Sequence, residues 1–260
     1  MHVFLTGASA GIGAALALEL AARVPGVHLT LVARDGARLE RVAADVRARG
    51  ASATVRPCDL SDPDTAEACL RAAAEVDGPV DVLVNNAGSQ VIGPTASIDV
   101  GAAERSLALD LTTPLRLLHV ALPSMLDRGD GRIVNIASAA ALAPTPGMTW
   151  YNAAKAGLAG ASEALRGELA STGVSVTTVY PGFVQTEMAR SAMATYGPSW
   201  AMSLQPVLAP DALARAVVTA ALARRARLVR PRFYGLTRWF PGVTRWLMDT
   251  LTPLPVADPA

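Results

Sequence analysis

Short runs of consecutive apolar residues alternate along this chain with longer stretches in which apolar residues recur every three to four positions. Runs apolar throughout mark strands buried on both faces, and the three-to-four spacing marks helices with one buried side. The run at 2–5 leads through a glycine-rich turn into a helical pattern over 12–24, which is the opening of a βαβ unit. Strands at 27–32, 53–56, 80–84, 132–136 and 175–179 then alternate with helices at 37–49, 63–76, 103–126 and 151–170. A further helix starts near Asp211. This order predicts an α/β chain with a single-domain, Rossmann-like, doubly wound and mainly parallel sheet covered by helices on both faces.

Two stretches depart from the alternation. Residues 186–210 hold Met188, Met193, Trp200 and Met202 with three prolines and a glycine, and long insertions of this kind usually carry function. Residues 231–260 concentrate aromatic and basic side chains. The organisation expected is a Rossmann-like unit over 1–230, with a substrate loop at about 186–210, and a C-terminal extension of the same domain over 231–260.

Composition narrows the function classes. With 260 residues, 51% hydrophobic and 17% charged, the chain can bury one large core. A net charge of +1 with scattered signs gives no field for nucleic acid. No run of 18 or more apolar residues reads as a spanning helix, and residues 1–13 read as strand and turn rather than a secretory signal, so the expected compartment is the cytoplasm. Cys58 and Cys69 lack metal-ligand spacing and read as small buried hydrophobes. His2, His28 and His119 show no ligand or triad spacing, so no metal is expected.

Chemistry enters at the first turn. Gly7, Gly11 and Gly13 stand between the first strand and first helix, where backbone must approach a pyrophosphate and helix amides face its charge. An ordinary strand-to-helix turn would explain the glycines taken alone, but their place in the first βα turn favours a nucleotide site. The chain also contains Asn85-Asn86-Ala87-Gly88, Ser138, the pair Tyr151 and Lys155 four residues apart, and Pro181-Gly182 with Thr186 four residues on. Together with Thr6-Gly7-Ala8-Ser9-Ala10-Gly11-Ile12-Gly13, this ordered set resembles the short-chain dehydrogenase/reductase family over about residues 1–230.

The resemblance implies about seven strands and a dinucleotide in the glycine turn, with Gly7, Ser9, Gly11, Ile12 and Gly13 around it. It implies that Asp59 and Leu60 contact adenine, that Asn86, Ala87 and Gly88 pass the adenosine ribose, and that Pro181, Gly182 and Thr186 border the nicotinamide. It gives Lys155 a bond to the nicotinamide ribose and Ser138 the substrate oxygen. It further implies a homodimer or homotetramer through the helices after the fourth and fifth strands.

Cofactor choice rests on the end of the second strand. The family's acidic position for a ribose 2′-hydroxyl is Ala33 here, and Arg34 follows it with a guanidinium suited to a 2′-phosphate. NADP(H) is therefore expected over NAD(H). Asp35 keeps the alternative open, because a one-residue shift would make it the ribose ligand, and Ala10 lacks a basic side chain.

A carbonyl that accepts hydride develops negative charge on oxygen, so a proton donor must stand within hydrogen-bond reach. Tyr151 is that candidate. Lys155 lies one helical turn along, and a cation there favours the phenolate of a group whose ordinary pKa is ~10. A surface i, i+4 pair is the bland alternative for these two alone. Asp110 stands where the family carries an asparagine. An ionised aspartate accepts hydrogen bonds without donating, favours a protonated Lys155 and opposes the phenolate. The expected activity is interconversion of a ketone or aldehyde and an alcohol. The alternative is an NADP(H)-sensing protein without turnover, for which Asp110 is the sole support.

The C-terminal stretch sets Phe233, Tyr234, Trp239, Phe240 and Trp246 beside Arg230, Arg232, Arg238 and Arg245. Val243, Trp246, Leu247 and Leu251 fall near one helical face, after a break at Pro241-Gly242. Three readings stay open for 230–251: packing over the substrate pocket or a partner subunit, peripheral membrane contact, and disorder. The first predicts a bulky apolar substrate.

Overall fold

The computed structural model describes residues 1–196 and 205–252. Trp200 and Met202 lie outside the described residues, as does the Met193 side chain. Seven strands form one parallel sheet in the order β3-β2-β1-β4-β5-β6-β7. They are β1 (His2–Thr6), β2 (His28–Ala33), β3 (Ser52–Pro57), β4 (Val82–Asn85), β5 (Gly131–Ile136), β6 (Val174–Pro181) and β7 (Arg227–Arg230). The helices are α1 (Gly11–Arg23), α2 (Gly36–Arg47), α3 (Pro63–Asp77), α4 (Val100–Leu107), α5 (Thr113–Arg128), α6 (Thr149–Glu168), α7 (Glu187–Thr195), α8 (Pro210–Leu222) and α9 (Pro241–Leu251).

Successive strand side chains point to opposite faces, so the apolar runs feed two cores. Val3, Leu5, Leu29 and Leu31 pack with α1, α2 and α8 on one face. Phe4, Val32, Leu83 and Ile133 pack with α3 and α5 on the other. Local signals set the helix starts. Asp35 accepts from the Arg38 amide at 2.9 Å to cap α2, Asp62 caps α3 ahead of Pro63, and Asp99 caps α4. Gly129 ends α5 with φ +63°, the left-handed conformation that favours glycine.

The helix expected over 103–126 is three pieces. Between α4 and α5 the backbone makes a single π turn over Ala108–Thr112, with the Thr113 amide bonding to the Ala108 carbonyl. Pro114 accounts for it, having no N–H to give Asp110 four residues back and a ring that would press on that carbonyl. The π turn carries Asp110 into the interior. The loop expected at 186–210 includes the ordered helix α7, and Leu208 pairs with Val184 to close its base.

The histidines carry no ligand spacing in sequence, yet register brings two of them together. His2 pairs with His28 across β1 and β2, and Asp77 ends α3 beside them, bringing ligand-type atoms of all three within 4.8 Å. Their partners are protein groups: His2 Nδ1 bonds the Gly78 carbonyl at 2.8 Å, and His2 Nε2 bonds Thr30 at 2.9 Å. His28 meets Ser52 and Asp77 at 2.9 and 3.3 Å. This network lies where β1, β2 and β3 begin, at the opposite edge of the sheet from the glycine turn.

Candidate active site

In an open parallel sheet the crevice forms beyond the carboxyl ends of the strands, where the strand order reverses. Here that point lies between β1 and β4, and a cleft of about 1200 Å³ opens over it. Gly7, Ser9, Gly11, Ile12, Arg34, Asp59, Leu60, Asn86, Ala87, Gly88, Ser138, Tyr151, Lys155, Pro181, Gly182 and Thr186 all line it. Gly13 is the one expected residue absent from the wall. It packs beneath the turn, where a Cβ would collide with the Gly7 carbonyl oxygen.

The turn is built for close approach. Gly7 has φ +67°, and a Cβ on it would stand 2.8 Å from the Ala87 Cα. Asn86 Nδ2 donates to the Thr6 carbonyl at 3.0 Å, while the Thr6 hydroxyl accepts from the Asn86 and Ala87 amides at 2.9 and 3.0 Å. Thus the loop after β4 is tied to the loop after β1. The residues present fit a dinucleotide: glycines without side chains, free turn amides at the start of α1, and an open wall below.

At the adenine end, Arg34 is exposed and has no ion-pair partner among the described residues. Asp35 is engaged by the α2 cap and by the Arg38 guanidinium at 3.3 Å. Arg38 also lines the cleft and reaches Glu187 at 3.2 Å. It was not singled out from sequence; it stands in the first turn of α2, four residues after Arg34. The Asp59 carboxyl is held below its ordinary range by the Ser61 amide and hydroxyl, with a smaller contribution from Arg34. Asp59 bonds within its own turn, and the cap of α3 is Asp62.

At the other end α6 presents Tyr151 and Lys155 one turn apart, both buried. Lys155 Nζ lies 5.8 Å from the Tyr151 ring centre, donates to the Ile136 carbonyl at 3.2 Å, and pairs with Asp110 Oδ1 at 2.9 Å. Burial disfavours the Lys155 ammonium, but the Asp110 carboxylate and Tyr151 outweigh it and hold its pKa above the ordinary lysine value. The other Asp110 oxygen accepts from the Ser89 amide at 3.1 Å and the Ser106 hydroxyl at 3.2 Å. Gly88 makes room, since a Cβ there would be 2.5 Å from Asp110. Ser138 caps a short 3₁₀ turn over Ala139–Ala141 by accepting from the Ala140 amide at 3.1 Å.

A buried polar chain fixes α6 to the sheet. Asn85 donates to Asn135 at 2.8 Å, Asn135 donates to Ser162 at 2.8 Å, and Ser162 donates to the Leu158 carbonyl at 2.6 Å.

Sequence reading did not single out Tyr196 for the cleft. It packs beside Tyr151 and Met148, and its hydroxyl donates to the Pro146 carbonyl at 2.7 Å. Burial pushes its pKa up to about 12. The C-terminal segment also reaches the site: Tyr234, Thr237, Leu247, Met248 and Leu251 line the cleft. A Cβ on Gly182 would be 2.5 Å from the Tyr234 ring, so the Pro-Gly turn and this segment are packed in contact.

Comparison with known proteins agrees with this geometry. Residues 1–197 match the family model described as short chain dehydrogenase. The chain is 36% identical over 219 residues to a ketoacyl reductase, HetN, of Nostoc sp., covering 84% of this chain and 74% of that one. It is 37% identical over 236 residues to a fatty acyl-CoA reductase of Mycobacterium tuberculosis, covering 87% and 75%. A solved short-chain dehydrogenase from Sphingobium yanoikuyae in complex with NADPH superposes with a TM-score of 0.81 at 32% identity, covering 99% of this chain and 98% of that one. A glycine turn at the strand-order reversal, a Tyr–Lys turn on α6, and a family match across most of the sheet converge on one conclusion: the chain is an oxidoreductase of the short-chain dehydrogenase/reductase family.

Proposed function

We propose that the protein reduces a ketone or aldehyde on an apolar substrate to the alcohol, and runs the reverse reaction, with NADP(H) as the redox partner. The observation that carries this is the buried Lys155 ammonium beside Tyr151, both opening on the same cleft as the glycine turn. Gly7, Ser9, Gly11, Ile12 and Gly13 form the pyrophosphate cradle, Arg34 meets the 2′-phosphate, and Asp59, Leu60, Asn86, Ala87 and Gly88 flank the adenosine. Pro181, Gly182 and Thr186 border the nicotinamide ring, which supplies hydride to the carbonyl carbon when bound.

The remaining work falls to side chains. Ser138 holds the carbonyl oxygen and Tyr151 gives it a proton, so that hydride and proton together complete the two-electron reduction. Lys155, kept charged by Asp110, stabilises the phenolate left behind and is positioned to hold the ribose. An intact Ser138, Tyr151 and Lys155 set favours turnover over a sensing role. The apolar wall of Leu142, Met148, Met188, Leu247, Met248 and Leu251 favours a substrate with a large apolar body. Relatives named as ketoacyl and fatty acyl-CoA reductases support an acyl-bearing carbonyl compound. Assembly into a homodimer or homotetramer through α5 and α6 belongs to the same proposal.

The test is NADPH oxidation over ketones and aldehydes graded from small and polar to large and apolar, with Tyr151→Phe in parallel. Turnover that rises with apolar size and falls at least ~100-fold in the variant is expected. Good turnover of only small polar carbonyls sinks the substrate class, and unchanged turnover in the variant sinks the role of Tyr151.

A further inference from the structure

The segment that borders the cleft has an outer side to which the reductase reading gives no task. Phe233, Leu236, Trp239, Phe240, Val243 and Trp246 recur at three-residue steps, with Trp239 and Phe240 adjacent at the junction between a 3₁₀ stretch over Arg232–Arg238 and α9. All six are more than half exposed, Trp239 reaching 80%. Scattered exposed apolar residues are ordinary, whereas six of them gathered within residues 233–246 mark an interaction surface. Over residues 230–252, Arg230, Arg232, Arg238 and Arg245 stand against Asp249, four cations to one anion in sequence; Arg245 pairs with Asp249 and Arg238 reaches Glu163 of α6 at 3.7 Å, which leaves Arg230 and Arg232 without an ion-pair partner among the described residues. That is a local charge of +3 in a chain whose total is +1.

We propose that this face docks peripherally on an anionic lipid bilayer. The aromatic stripe would sit at the headgroup and acyl boundary, with the arginines on lipid phosphates. Aromatics interleaved with arginines and almost free of acid are the composition of helices that lie in a membrane interface. A second copy of the chain fits the surface less well. An isologous contact sets the arginine-bearing patch against itself, and Asp249 is already paired with Arg245. Among the described residues no helix is long and apolar enough to cross a membrane, so attachment is at the surface. The same segment turns Leu247, Met248 and Leu251 to the cleft, so docking through its outer side would hold the cleft beside the bilayer surface.

Flotation of the full chain tests this with phosphatidylcholine vesicles, alone and with about a third of the lipid as phosphatidylglycerol. Binding is expected only to the anionic vesicles, with a blue shift of tryptophan emission and release in ~0.5 M salt. Trp239→Ala with Trp246→Ala weakens binding about tenfold or more, and Arg232→Glu weakens it several-fold. These positions lie outside the cleft wall, so both variants keep wild-type turnover of a small carbonyl and wild-type Tm. Failure to float with anionic vesicles overturns the proposal. So does binding that the paired tryptophan variant leaves unchanged, or light scattering in which that variant converts a dimer to monomers. Flotation is read without turnover, so failed docking and a failed reductase assignment are separable.

Discussion

The Lys155–Asp110 pair governs how the cleft answers to pH, and its partners are single side chains. Because the folded Lys155 pKa is raised, the stability it contributes is complete below the ordinary lysine value of about 10.4 and is lost as pH rises through the raised value. Its share of stability is thus flat through neutral pH. Substituting Asp110→Ala strands a buried cation and should cost about 3–5 kcal/mol, read in denaturant unfolding. Asp110→Asn removes the charge that opposes the phenolate, so the pH–rate profile for alcohol oxidation should move to lower pH; superimposable profiles would make the charge irrelevant. Arg34→Ala should weaken NADPH binding about 10–100-fold and NADH little, and equal losses would remove the 2′-phosphate assignment. Tyr196→Phe should leave turnover within a few-fold of wild type, because that hydroxyl is buried and already committed to Pro146. Tyr151 and Lys155 were legible because a helix sets residues four apart on one face. Tyr196 was not, since its place depends on how the chain after β6 folds back over α6.

Between residues and the whole lie the elements, and here the expected order of strands and helices agrees with the structure to within a few residues at their ends. The exceptions are α7, which forms inside the stretch read as a loop, and the π turn, which a helical period spans unbroken and only Pro114, with no N–H to give Asp110, marks in the sequence. The glycine turn was legible for the opposite reason, being a local requirement written in local residues. Gly13→Ala should abolish cofactor binding, since its Cβ collides with Gly7 backbone that has no room to move; retained NADPH affinity by calorimetry would contradict that. Asn135→Ala breaks the polar chain from β4 to α6, leaving the Asn85 amide without its acceptor and the Ser162 hydroxyl without its donor, though Ser162 keeps its bond to the Leu158 carbonyl. The cost should be about 1–3 kcal/mol, a fall in Tm of roughly 3–10 °C.

Across the whole molecule, the parallel, doubly wound class of the sheet was legible from alternation and its count of seven strands from the family resemblance, while contacts that depend on register were not legible. His2 and His28 are far apart in sequence and carry no ligand spacing, yet parallel pairing sets them side by side. Burial lowers the His2 pKa, so the folded chain resists a proton that the unfolded chain takes near pH ~6.5. Stability at this floor is therefore lost as pH falls from that value toward the lowered one. Burial alone would raise the Asp77 carboxyl, but His28, Thr30, Thr54 and Arg56 hold it below the ordinary range, so its contribution fails only in stronger acid. Acid and alkali thus pull at opposite edges of one sheet. Mild acid should loosen the starts of β1, β2 and β3 while α6 and the cleft stay closed, and alkali should do the reverse. Hydrogen exchange near pH ~5 should free the amides around His28 and Ser52 first, giving a molecule that frays from the end remote from its chemistry.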